Sequence, residues 1–112
     1  MATVNGLTSA LAKGVAQTVW TITGTNDGAP ESAPQYPLKS VTVTGTFGGG
    51  TLLIEESNDA VNYVTAVNNI GTAASFTAIG SMVIASNARY HRPRASVGVT
   101  SVVVSLTEAS PQ

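Results

Sequence analysis

The segment Ser86-Asn87-Ala88-Arg89-Tyr90-His91-Arg92-Pro93-Arg94 holds three of the chain's five basic residues and its one histidine. Guanidinium groups are planar, permanently charged and forked, which suits them to paired hydrogen bonds with carboxylates. Only 10% of the chain is charged, against about 25% in an ordinary soluble domain, so arginines gathered in one place mark a contact. Two assignments are open. The arginines pair within the chain with Glu55, Asp59 or Glu108, which is worth little at a surface, or they grip carboxylates of a neighbouring subunit, as arginine's enrichment at interfaces favours. Arg89, His91, Arg92 and Arg94 are accordingly candidate protein-interface residues, joined by Tyr36 of a proline-rich loop and by Leu7 and Leu11 near the N-terminus.

Other chemistry is sparse. A nucleophile needs a base held by a third group, and the single imidazole, His91, sits between arginines whose charge disfavours the imidazolium. Glu55 and Glu56 are neighbours on an expected strand, so their carboxylates face opposite ways and form no acid–base pair. Glu56, Asn58 and Asp59 place hard oxygen ligands around one turn, as calcium would require; the plainer reading is a turn whose short side chains bond their own backbone. Gly48-Gly49-Gly50 leads from strand to strand and offers no helix N-terminus for phosphate. The expectation is a non-enzymatic chain with no catalytic residue, cofactor or metal.

Composition narrows the class. A length of 112 residues accommodates one domain. Apolar residues make up 43%, yet no run approaches the roughly 20 residues of a membrane-spanning helix, so no membrane partner is expected. A net charge of −1 gives no field to attract phosphate backbones, so nucleic acid is not expected either. The absence of cysteine excludes disulfides. An apolar chain with few surface charges suits a subunit covered by its neighbours. The first residues lack a basic stretch followed by an apolar one, so synthesis in a cytoplasm without a secretion signal is expected.

The elements that must position these residues read as strands. Thr, Val and Ser alternate, and turn residues recur, which predicts an all-β, jelly-roll-like sandwich of about eight strands. Residues 40–47 place Val41, Val43 and Phe47 on one face and Thr42, Thr44 and Thr46 on the other. Gly48-Gly49-Gly50 then predicts a hairpin into residues 51–56. Residues 61–67 resume the sheet, with Tyr63 entering the core; residues 73–78, 81–85, 89–95 and 100–106 follow, the last aligning Val102, Val104 and Leu106. Residues 17–23 pair Trp20 with Ile22, and Trp20 is expected as a core anchor. Pro93 places its strand at a sheet edge or bulge. Residues 1–16 are expected as an extended arm on a sandwich of residues 17–112, and the three prolines within residues 25–37 predict a long surface loop.

Four stretches resemble small β-sandwich proteins of tailed-bacteriophage structural modules: Val-Thr-Val-Thr-Gly-Thr-Phe (41–47), Leu-Leu-Ile-Glu-Glu-Ser-Asn-Asp-Ala-Val-Asn-Tyr-Val (52–64), Ser-Phe-Thr-Ala-Ile-Gly (75–80) and Ala-Arg-Tyr-His-Arg-Pro (88–93). Members carry a Ser-Asn-Asp-Gly turn leading to Asn-Trp, then an Arg-Tyr-x-Arg-Pro strand. Here Ala60 stands for the glycine, Tyr63 for the tryptophan and His91 for an aliphatic residue. The resemblance spans residues 40–106 and is nearest to head decoration, or cement, proteins. It implies a virion protein on the capsid surface, a self-associating homotrimer and the major capsid protein as partner. The same motifs resemble discoidin-type jelly rolls. A carbohydrate-binding module of a tail fibre or baseplate, using Tyr36, Tyr63, Asn58 and Asp59, is the alternative, and a head-completion or tail-tube component a further one.

Overall fold

The computed structural model describes residues 2–12, 14–32, 38–85 and 88–109. Every regular element among them is a strand: β1 (Thr3–Val4), β2 (Leu7–Ala12), β3 (Val15–Gly24), β4 (Asp27–Gly28), β5 (Glu31–Ser32), β6 (Leu38–Thr46), β7 (Thr51–Ser57), β8 (Val64–Thr65), β9 (Ser75–Phe76), β10 (Gly80–Ile84), β11 (Tyr90–Val97) and β12 (Val99–Ala109). Five of these are only two residues long, which is why a reading by periodicity expects fewer. They form two sheets. One runs β1-β4-β11-β7-β8, with β5 also on β11 and β9 also on β7; the other runs β10-β6-β12-β3-β2.

The core lies between the sheets. From the second sheet come Trp20 and Ile22 of β3, Val41 and Val43 of β6, and Val102, Val104 and Leu106 of β12. The first contributes Leu52 and Ile54 of β7, Phe76 of β9 and Ala95 of β11. Each large side chain taken from water contributes roughly 1.5–3 kcal/mol before entropy is set against it. Trp20 is the anchor the sequence leads one to expect: its indole is 1% exposed and its Nε1 donates to the carbonyl of Ala29 at 3.0 Å.

Three expectations are corrected. Gly48 and Gly49 do turn the chain, with φ of 59° and 83°, but β6 and β7 belong to different sheets and do not pair. The turn is a corner between layers, because the inward rows of both strands are apolar and are buried by facing each other across the core. The N-terminal residues are extended but do not project: β1 pairs in parallel with β4, and β2 forms the edge beside β3. Part of the proline-rich loop is likewise tied down, since Asp27–Gly28 and Glu31–Ser32 both bridge to β11.

Pro93 lies where its missing N–H is tolerated. One side of β11 is fully paired with β7, whereas the other meets only β5 at Tyr90 and His91 and β4 at Arg94. A bulge follows between Ala95 and Val97. Gly28 fits against this strand: a Cβ there would come within 2.7 Å of the Pro93 ring and of Trp20. Gly28→Ala is therefore expected to destabilise the fold by about 1–3 kcal/mol through overpacking. Urea unfolding followed by fluorescence of the single tryptophan checks this, and an unchanged midpoint would contradict it.

Candidate functional site

Alternation along β11 divides the basic segment between two environments. His91, Pro93 and Ala95 share the inner face with Leu52, Ile54 and Glu56 of β7, while Arg92 and Arg94 share the outer face with Glu55. Glu55 and Glu56 therefore point to opposite faces.

On the outer face Glu55 is the hub. Arg92 Nε donates to Glu55 Oε1 at 3.0 Å, and Arg94 Nε donates to Oε2 at 2.9 Å. Arg92 Nη1 reaches Asp27 Oδ2 at 3.3 Å, and Asp27 Oδ1 accepts from the Thr3 hydroxyl at 2.8 Å. The Tyr63 ring lies 3.7 Å from the centre of the Arg92 guanidinium, a cation–π contact. Tyr63 thus covers an ion pair and does not enter the core. Its ring has one face engaged, which reduces what it can offer a sugar. Arg89 is exposed and stacks over Tyr90 at 5.4 Å.

The turn after β7 is closed on itself. Asp59 accepts from the backbone N–H groups of Asn62 and Val61 and from the Ser57 hydroxyl, and these bonds hold its carboxyl below the usual range. Asn58 Oδ1 accepts from the Arg89 N–H at 3.1 Å. These oxygens build the turn, and no cluster of three metal-ligating side chains occurs among the described residues. Ala60 has a φ of 60°, the left-handed conformation that glycine adopts without strain, and it stands where the resembled motif carries glycine.

Behind β11 lies a buried polar layer. Across the first sheet the inward row is Glu31, His91 and Glu56; across the second it is Ile84, Lys39, Glu108 and Ala16. Lys39 Nζ stands 3.8 Å from Glu108 Oε2, with both side chains buried. His91 is 1% exposed, and its pKa is lowered to about 4 by burial first and then by Lys39. Alternation carries the signal: Lys39 continues the inward parity of Val41 and Val43, and Glu108 that of Val104 and Leu106.

The interface candidates thus separate. Arg92 and Arg94 are engaged by carboxylates of their own chain, so the intramolecular assignment describes them, through Glu55 and Asp27. His91 is interior and presents no surface to a partner. Leu7 and Arg89 are exposed. Tyr36 and the Leu11 side chain lie outside the described residues.

This two-sheet arrangement recurs in solved structures. The SPBc2 prophage-derived protein YomS is similar with a TM-score of 0.67 at 10% identity, over 91% of this chain and 100% of that one. A cupin domain from Bordetella pertussis Tohama I gives 0.53 at 15%, over 96% and 94% of the two chains. An oxalate oxidase gives 0.52 at 17%, over 88% of this chain and 43% of the other. Identities this low establish a shared jelly-roll-like fold and leave activity open. No protein-family model and no curated protein matches the chain.

Two outcomes follow from the geometry. Glu55→Ala removes the carboxylate that both arginines use and is expected to cost about 2–3 kcal/mol, whereas Arg94→Ala, at a more exposed position, is expected to cost under about 1 kcal/mol. Equal losses in urea unfolding would contradict the hub. The second concerns acid. An unfolded chain protonates histidine below 6.5, but the folded one holds His91 neutral until about 4, so its contribution is complete above 6.5 and is lost as pH falls towards 4. His91→Leu is expected to flatten the stability profile in that interval; an unaltered profile would contradict the placement.

Proposed function

We propose that the protein is a non-enzymatic structural component of a tailed-phage virion: a head decoration protein that self-associates, as a homotrimer, and binds the major capsid protein on the assembled capsid surface. The observation that carries this reading is the character of the surface. Of five basic and six acidic residues, six are engaged in ion pairs within the chain: Asp27, Lys39, Glu55, Arg92, Arg94 and Glu108. Nine large apolar side chains are exposed among the described residues, Ile70 at 80% and Val61 at 77% foremost.

Those side chains concentrate in two places. Val61, Val64, Val67, Ile70 and Ile79 lie along the excursion from β7 to β10. Leu38 and Val83 flank a groove of about 430 Å³ on the second sheet, lined also by Ser40, Ala85, Thr107 and Ala109. Exposed apolar patches with few charges are unfavourable on a free monomer and favourable on a subunit that neighbours cover. The fold likeness to a prophage-derived protein and the motif resemblance over residues 40–106 support the phage setting. Of the basic segment, Arg89 remains as a cation offered to a partner.

The test is co-sedimentation of the purified protein with phage heads lacking it. Saturable attachment that persists as salt rises is expected, because apolar contact is not screened, and Val83→Asp or Ile70→Asp is expected to weaken it with the fold intact. Absence of binding to heads would overturn the decoration reading, and binding abolished by Arg89→Ala but indifferent to both aspartates would overturn its apolar basis.

A further inference from the structure

A sheet edge presents backbone N–H and C=O groups that have no ladder partner, and proteins that stay apart blunt such edges by shortness, bulges, prolines or charged side chains. The two sheets here end in four edge strands: β1 and β8 on the first, β10 and β2 on the second. β1 and β8 are two residues long, and β2 is interrupted by a bulge between Ala10 and Ala12. β10 has none of these devices. Its five residues, Gly80-Ser81-Met82-Val83-Ile84, include no proline and no charge, and all five pair with β6 in an unbroken register. Among the described residues no strand pairs with its other side. The open stretch is also bounded: the Ala85 N–H donates to the Val67 carbonyl at 3.0 Å, so the position after Ile84 is taken.

We propose that β10 pairs antiparallel with β10 of a second copy of the chain, about a two-fold axis at Met82, joining two five-stranded sheets into one. The inference rests on the self-association of the proposed function and goes beyond it by naming the contact. Two features of the strand select a second copy over any other extended segment. The first is fit. In this register Gly80 stands opposite Ile84 and Ser81 opposite Val83, so a small residue meets a large one on each face, and Met82 meets its counterpart. Exposed Ile79, just before the strand, faces Ala85 in the same way. The second is charge. A two-fold contact sets the same patch against itself, so a charged strand would bring like charges together. β10 carries none, and Ser40 and Thr42, its outward-facing neighbours on β6, are uncharged as well.

Main-chain hydrogen bonds supply the affinity in strand addition, and alternate side chains fix the register. Ser81 and Val83 project from the outer face and are exposed, whereas Met82 and Ile84 lie on the core side, beside Val41 and Lys39. A two-fold contact joins copies in pairs. It differs from the threefold contact of a homotrimer, so either can be lost without the other.

The experiment is disulfide cross-linking of the full-length chain, which has no cysteine of its own to give a background. Ser81→Cys and Val83→Cys are oxidised separately and as an equal mixture. In the mixture the two thiols stand directly opposite, with Cα atoms roughly 4.5–5.5 Å apart, which a disulfide spans. In either variant alone they lie on the diagonal, about 7–8 Å apart, too far to bridge. The expected result is a covalent dimer that forms roughly tenfold faster or more in the mixture. Equal rates, or no cross-link in any sample, would overturn the pairing. Sedimentation at low salt supplies a second readout. Ser81→Lys with Val83→Lys sets like charges opposite and is expected to weaken association about tenfold, whereas Ser81→Lys with Val83→Glu sets opposite charges there and retains it. Equal association of the two double variants would overturn the register. A cross-linked dimer that fails to bind phage heads would overturn the decoration reading alone; heads bound by protein that never cross-links would overturn the pairing alone.

Discussion

A strand sends successive side chains to opposite faces, and on β11 this constraint decides the rest of the structure. The inward set, His91, Pro93 and Ala95, closes the core and the polar layer; the outward set, Arg92 and Arg94, binds Glu55. Shifting the register by one residue would expose the imidazole and bury two guanidinium groups, at a cost that no packing here would offset. Asp27 and Thr3 attach to Arg92 in turn, so the N-terminal residues and the start of the proline-rich segment are held in place by the same strand.

The consequence for function is a question of where the charges go. A chain with few charges uses most of them to join its own strands, as the outer ion pairs across β4, β7 and β11 and the inner pair of β6 and β12 illustrate. Solvation of the surface is left to Thr, Ser and Asn side chains interspersed with exposed Val, Ile and Leu. We propose that such a surface is matched to a neighbouring protein better than to water. Arg92 and Arg94, in the most conspicuous segment of the sequence, serve this economy within the subunit by neutralising Glu55 and Asp27.

Much of this is legible in the sequence. The sandwich, the anchoring of Trp20 and the inward rows of Val41 and Val43 and of Val102, Val104 and Leu106 follow from period-two alternation alone. The turn at Asp59 follows from its side-chain chemistry. Pairing does not follow: three glycines specify a reversal but not whether the returning strand joins the same sheet, so a corner reads as a hairpin. Short bridges such as β4 and β5 carry no periodic signal, being two residues long. Tyr63 reads as core because aromatic residues usually pack there, and only the tertiary position of Arg92 draws it outside. Lys39 and Glu108 were legible by parity, yet each looks like the polar end of a strand until the facing row of Glu31, His91 and Glu56 is in place.

The central claim is that this surface is built to be covered, and sedimentation equilibrium of the purified protein over a range of concentration and salt tests it most directly. The account predicts reversible self-association that persists or strengthens from low to molar salt, since apolar contacts are not weakened by screening. A protein that remains monomeric at every concentration, or that dissociates as salt is added, would contradict it.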